Sequence, residues 1–362
     1  MLSSVKNNLR NVLMKKSVNV FGISYFLIHC LIETTTFYII TNYSDSDVFW
    51  YLALIYDYFS FVPQGFFGFL KDKRIKINFA VTGTFISAAA LVLFRIKSSF
   101  AFPVIILLAV GNGLIHVQGA ECTLRSSAGK MTPSALFVSG GSFGIIIGKI
   151  LAMREVPFPI IMTTHLFMLI PILFCAGKKD QLNKKNLLKY NFSNQKVPSK
   201  IIIILAVTVV IARAFMGYGI PTTWNRSLFQ TVLLYCAMGI GKALGGILTD
   251  ALGGRKCAAL STLGALPFLL FGDRIMEISL IGIMLFSMTM AITLGLLVSE
   301  LKKYPGVAFG LTTLGLFIGS MPVFVLKIES LAVNCIIVSS LSAACFLILN
   351  AICKKEKSKC ST

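Results

Sequence analysis

The stretch Gly246-Ile-Leu-Thr-Asp250-Ala-Leu-Gly253-Gly254-Arg255-Lys256 has a shorter counterpart, Gly68-Phe-Leu-Lys-Asp72-Lys73-Arg74, in the first half of the chain. The two aspartates lie 178 positions apart in a sequence of 362 residues, close to half its length. Each copy stands where a long apolar run stops and a basic loop begins. A Gly-x-x-x-Asp step followed by basic residues, once per half, points to a duplicated membrane domain.

The composition around the two copies agrees. Hydrophobic residues make up 56% of the chain, charged residues 13%, and the mean hydropathy is +0.82. Soluble domains carry roughly 25% charged residues, so this chain lacks the polar surface that water requires. A bilayer admits only helices and closed barrels, because every backbone polar group must be satisfied internally. The apolar runs are continuous over ~20 residues, which is helix length, not the ~10 alternating residues of a barrel strand. The expected fold class is therefore an all-α membrane protein of twelve transmembrane helices. They span roughly 18–41, 48–70, 76–94, 99–124, 132–153 and 157–176, then 201–220, 226–249, 256–272, 276–300, 306–327 and 331–353. The polar stretch 177–200, with seven lysines, divides six spans from six. The expected organisation is a six-helix half at 1–176, a basic cytoplasmic linker at 177–200 that meets anionic lipid, and a second six-helix half at 201–362.

A net charge of +20 raises the question of nucleic acid, and the distribution answers it. Of the basic residues in loops and tails, 25 fall on the side holding both termini and the linker, and six on the other. That is the positive-inside pattern; it places both termini in the cytoplasm and excludes nucleic acid as a partner. Lys6, Arg10, Lys15 and Lys16 precede the first apolar run without a small-residue cleavage site, so this run reads as a retained helix. The nine cysteines have no metal-ligand spacing and read as small core residues.

Charges in the hydrocarbon cost a few kcal/mol each, and each asks for a reason. Arg213, in the middle of span seven, reads in two ways: as a binding-site cation for a carboxylate or phosphonate, or as half of a structural ion pair. Tyr218 lies just beyond it. In span one, Tyr25, His29, Glu33 and Thr36 share one helix face. Glu33 and Asp57 are the candidate proton-coupling carboxylates, with His29 able to share the proton; packing by hydrogen bonds is the alternative. Asn112 and His116, one turn apart in span four, join Arg213, His29, Tyr25 and Tyr218 as candidate substrate contacts, with a buried, satisfied histidine as the alternative for His116. Lys149 reads either as a partner of Glu33 and Asp57 or as a snorkelling residue. Glu121 is expected to pair with Arg125 at i+4 and Lys242 to belong to the cytoplasmic gate; His165 reads as either structural or functional. Gly140, Gly144 and Gly148 in span five, and Gly315 and Gly319 in span eleven, put a flat stripe on one helix face. No cofactor and no metal ion is expected.

The cassette, the 6+6 division and the basic central loop resemble the major facilitator superfamily of secondary transporters. The second copy is close to that superfamily's loop motif; in the first, Ile75-Lys76 follows Arg74 in place of Gly-Arg. The resemblance implies that Asp72 latches onto the start of span eleven and, by pseudo-symmetry, Asp250 onto the start of span five. It marks Gly68, Asp72, Gly246, Asp250, Arg255, Gly144 and Gly148 as gating residues. His29-Cys-Leu-Ile-Glu33, Gly111-Asn-Gly-Leu-Ile-His116 and the glycine-rich span five resemble the fosmidomycin-resistance-like branch, with Val117-Gln118 in place of Pro-Glu and Gly148-Lys149 in place of Gly-Pro.

The expectation is a monomeric secondary transporter in the plasma membrane, moving a small organic solute, anionic if Arg213 binds it, and coupled to protons. Drug efflux and a non-transporting receptor on the same fold are the alternatives. No His-Glu-x-x-His, paired-Asp metal pattern, serine-nucleophile motif or phosphate-binding loop is present, which argues against an enzyme and against ATP hydrolysis.

Overall fold

The structure is a computed structural model that describes residues 20–73, 75–97, 99–178, 188–326 and 330–355. The basic residues of the first 19 positions, Arg74, the linker lysines within 179–187, Lys327, Lys357 and Lys359 lie outside the described residues. In the first half, α1 (Val20–Thr41), α2 (Phe49–Phe61), α3 (Gln64–Asp72), α4 (Phe79–Ile96), α5 (Ala101–Ser126), α6 (Thr132–Met153), α7 (Phe158–Leu166) and α8 (Leu169–Gly177) follow one another. The second half runs through α9 (Ser199–Gly219), α10 (Leu228–Leu252), α11 (Gly254–Ala259), α12 (Leu266–Phe271), α13 (Met276–Ser287), α14 (Thr289–Glu300), α15 (Pro305–Ser320) and α16 (Leu331–Ile352).

Among the described residues, nine segments are long and apolar enough to cross a membrane: α1, α4, α5, α6, α7 with α8, α9, α10, α13 with α14, and α16. The other three expected spans are interrupted or short. Pro63 separates α2 from α3 because it has no N–H and crowds the preceding turn, yet Val62 and Pro63 keep helical backbone angles. A π-helical turn at Leu260–Gly264 joins α11 to α12, and α15 passes into a 3-10 turn at Met321–Phe324. Local signals set the clean ends. Asn78 accepts from the backbone N–H groups of Ala80 and Val81 at the start of α4, and Ser227 with Gln230 forms a capping box on α10.

The glycine stripes bring backbones together within each half. A Cβ at Gly140, Gly144 or Gly148 of α6 meets the carbonyl oxygen of Phe26, Cys30 or Thr34 on α1. In the second half, a Cβ at Gly319 of α15 meets Ile211 and Ala214 of α9. Span five on span one and span eleven on span seven are thus equivalent contacts. Gly144 and Gly148, expected at the gate, belong to the first half's own packing.

The halves touch most extensively through two other pairs, α3 with α15 and α6 with α10, with α15 also lying against α2 and α5. Gly68 faces the backbone of Gly306 directly, and Gly246 faces Met131, Thr132 and Ala135. Residues 188–198, with Lys189 and Lys196 exposed, dock onto helix ends. Tyr190, 1% exposed, bonds to the Ser127 hydroxyl at 2.6 Å and donates to the carbonyls of Leu124 and Lys130. Phe192 N–H donates to Ser299 Oγ at 2.9 Å, and Lys354 N–H donates to Phe192 O at 2.8 Å. This segment therefore ties the basic-loop ends of α5, α14 and α16 together.

Candidate functional site

All four stripe residues on α1 are buried, and two of them, His29 and Glu33, form a tight cluster with α5. His29 and Glu33 stand one turn apart on α1, as do Asn112 and His116 on α5, and all four are buried. His29 Nε2 and His116 Nε2 are 2.8 Å apart. Glu33 Oε1 lies 3.6 Å from the first and 3.9 Å from the second. Asn112 Nδ2 donates to Glu33 Oε1 at 2.8 Å and also contacts the Tyr56 hydroxyl. Tyr56 donates to Glu33 Oε2 at 3.4 Å. Each histidine has its other nitrogen on a carbonyl: His29 Nδ1 on Phe137 O and His116 Nδ1 on Asn112 O, both at 2.9 Å. A carbonyl has no proton to give, so both Nδ1 atoms are donors. Gly141 leaves room for the ring, since a Cβ there would meet His29 Nε2.

The second group is cationic and comes from the other half. Arg213 on α9 has a buried Nε with no hydrogen-bond partner. Lys242 on α10 donates to Ser142 Oγ of α6 at 2.9 Å and stands within electrostatic reach of both Arg213 and Glu33. Lys242 is therefore part of the central polar region and not of the cytoplasmic gate. Asp57 makes no hydrogen bond or ion pair with the described residues; its electrostatic neighbours include Glu33 and Tyr218. Tyr218 is 57% exposed. Lys149 does not reach Glu33 or Asp57; its amine is 3.3 Å from the Tyr235 hydroxyl and sits over the Tyr235 ring.

Other sequence candidates have structural surroundings. Tyr25, expected at the substrate, is 2% exposed and packs edge-on against Phe137. Its helix position faces the seam with α5 and α6, where Gly119 admits the ring. His165 bridges α1 and α4 through Thr35 Oγ1 at 3.1 Å and Thr84 O at 3.0 Å. Glu121 pairs with Arg125 at 3.3 Å, as the i+4 spacing suggests, and also with Lys71 at 3.9 Å. Tyr56, Ser142 and Lys242 are the site residues that sequence reasoning missed or placed elsewhere.

On the basic-loop side, both cassette aspartates meet the start of a helix in the other half. Asp72 accepts from Gly306 N–H at 3.1 Å and Val307 N–H at 3.0 Å, the first turn of α15. Arg125 Nη2 stands 3.7 Å from the same carboxylate. Asp250 accepts from Met131 N–H at 2.7 Å, Thr132 N–H at 2.9 Å and the Thr132 hydroxyl at 2.5 Å, at the start of α6. Free N–H groups at a helix start carry partial positive charge and favour a carboxylate. Arg255 does not cross between the halves; it donates to Asn350 of α16.

No family model and no curated protein matches the chain. Solved structures do. The human organic anion transporter TETRAN superposes with a TM-score of 0.65 at 15% identity, over 92% of this chain and 99% of that one. The E. coli fucose:proton symporter FucP, a major facilitator superfamily transporter, gives 0.61 at 17% identity over 92% and 98%. A bacterial homologue of the iron transporter ferroportin, in an outward-facing state, gives 0.58 at 14% identity over 91% and 97%. The fold is that of the major facilitator superfamily transporters, an all-α membrane fold.

Proposed function

We propose that the chain is a secondary active transporter that moves a small organic anion across the plasma membrane by alternating access, as a monomer with both termini in the cytoplasm. The observation that carries this reading is the pair of aspartate-to-helix-start bonds. Each joins one half to the other, both lie on the basic-loop side, and each rests on backbone contact at a cassette glycine. Two latches that break together allow that side to open, while a site between the halves stays in place.

Arg213 supplies the solute class. A buried guanidinium whose Nε has no partner, with Lys242 in reach, suits a carboxylate or phosphonate group. Of the two carboxylates that the sequence nominates for coupling, Asp57 is the freer. Glu33 is held by Asn112 and Tyr56, whereas Asp57 makes no hydrogen bond with the described residues and lies within electrostatic reach of the exposed Tyr218, where a proton can arrive and leave.

The experiment is a thermal-shift screen of the purified protein against organic anions, cations and neutral solutes, followed by uptake in proteoliposomes. A ligand that binds the folded state raises its apparent stability. The expected hits are anions, and Arg213→Ala weakens their stabilising effect. Stabilisation by cations or neutral solutes alone, or by anions unchanged in Arg213→Ala, overturns the reading. Asp57→Asn is expected to leave binding intact and to remove the response of uptake to an imposed pH gradient.

A further inference from the structure

We infer that His29, His116 and Glu33 form a binding site for one divalent transition-metal ion of the zinc class. The geometry of the rings carries the inference. Both Nδ1 atoms are committed as donors to the carbonyls of Phe137 and Asn112. If both rings are neutral, both Nε2 atoms present lone pairs, and these face one another at 2.8 Å. Two lone pairs at that distance repel, so the pair requires a cation between them. A shared proton engages only two of the three converging donors, because Glu33 Oε1 stands beyond hydrogen-bond distance of both rings, at 3.6 and 3.9 Å. A metal ion engages all three.

The dimensions fit. With metal–donor bonds of about 2.0–2.1 Å, two ligands of a tetrahedral ion lie roughly 3.3 Å apart. The donor triangle, with sides of 2.8, 3.6 and 3.9 Å, brackets that figure. The surroundings are those of a metal site as well. Each imidazole has its second nitrogen on a backbone carbonyl, which fixes tautomer and ring orientation. Asn112 and Tyr56 hold the carboxylate. Two imidazoles and a carboxylate suit zinc, cobalt or nickel better than calcium or magnesium, which prefer oxygen alone. All three ligands are buried, and this is the one such cluster among the described residues. The ligands come from α1 and α5 of the same half, so the ion would move with that half and fix α1 against α5. Three protein donors leave a fourth position for water or a solute group.

Cobalt(II) is the probe, added to the purified full-length protein after chelation and dialysis. The expected result is one ion per chain, with ligand-field bands in the visible and displacement by zinc. X-ray absorption on the zinc-loaded wild-type protein is expected to show two imidazoles and oxygen donors without sulfur. His29→Gln and His116→Gln should each weaken binding by about 100-fold or more, above the range for outer-shell partners, while Asp45→Asn, at an exposed position after α1, leaves it unchanged. Gly141→Ala, which retains every ligand but crowds the His29 ring, should weaken it too. Absence of binding by the wild-type protein would mean that the rings share only a proton, and would overturn the proposal. Sulfur in the absorption spectrum, or affinity unchanged in both histidine variants, would assign the metal to cysteines and overturn it equally. None of these readouts uses transport, so the proposal stands or falls apart from the anion reading.

Discussion

Arg213 and Glu33 are both charges inside a membrane fold, and the chain surrounds them differently. Glu33 has donors on both oxygens; Arg213 has a buried Nε with none. A charge-assisted hydrogen bond contributes roughly 1.5–3 kcal/mol, so an anion bound by Arg213 should lose about 10- to 100-fold in affinity on Arg213→Ala. Arg213→Lys should recover only part of this, since an ammonium lacks the planar fork. Titration calorimetry with the anion found in the screen checks both. The sequence showed the members of the His29 cluster through their one-turn spacing on two helices. It concealed their meeting, which depends on how α1 and α5 are placed side by side. Tyr56 gave no signal because a tyrosine in an apolar run looks like packing. Lys242 was misplaced for a physical reason: eight residues before Asp250, it stands about 12 Å deeper along the helix at 1.5 Å per residue, below the gate to which the cassette drew it.

At the scale of elements, helix starts and glycine seams do most of the positioning. The second cassette copy was fully legible and the first abbreviated, and the structure shows three hydrogen bonds to Asp250 against two to Asp72. Asp250→Ala should therefore expose a cysteine probe on the basic-loop side more than Asp72→Ala does; labelling rates with a membrane-impermeant thiol reagent test the order. The seam between α1 and α6 makes a second prediction. Gly144→Leu puts a side chain into the Cys30 carbonyl and should cost at least 1–3 kcal/mol, seen as a lower melting temperature. Gly177→Ala, at the open end of α8, should be near neutral. The docking of residues 188–198 was not legible, because a lysine-rich stretch reads as solvated and one buried tyrosine does not change its average. Burial pushes the Tyr190 phenol up from its ordinary value. The folded state therefore favours the neutral phenol. Its contribution is complete below about pH 10 and is lost as pH rises through the higher folded value. Tyr190→Phe should lower stability by about 1 kcal/mol at neutral pH and flatten the alkaline loss.

For the whole molecule, the seam of α6 on α1 and that of α15 on α9 are equivalent, and charged side chains of both halves approach one another, with Glu33 and Arg213 each within electrostatic reach of Lys242. The all-α membrane fold was readable from hydropathy, because the bilayer imposes long apolar runs on any chain that crosses it; nine of the twelve expected spans are long, apolar helical segments among the described residues. The pairing of α3 with α15 and of α6 with α10 was readable only through the cassettes and the family they resemble: chemistry says that a carboxylate suits a helix start, and the resemblance says which one. The state described has both latches formed, so the basic-loop side is closed. Population of the opposite state should rise when the latches are removed, by about 10-fold or more per latch if each is worth 1.5–3 kcal/mol. The most direct measurement is single-molecule energy transfer between dyes on noncanonical residues at Lys76 and Lys303, both exposed on the basic-loop side, one on each half. The wild-type protein should show mainly the short distance, and the doubly substituted Asp72→Ala, Asp250→Ala protein a second, longer distance that bound anion or a pH gradient redistributes. A single distance, the same in both proteins and indifferent to anion and gradient, would contradict alternating access through these latches.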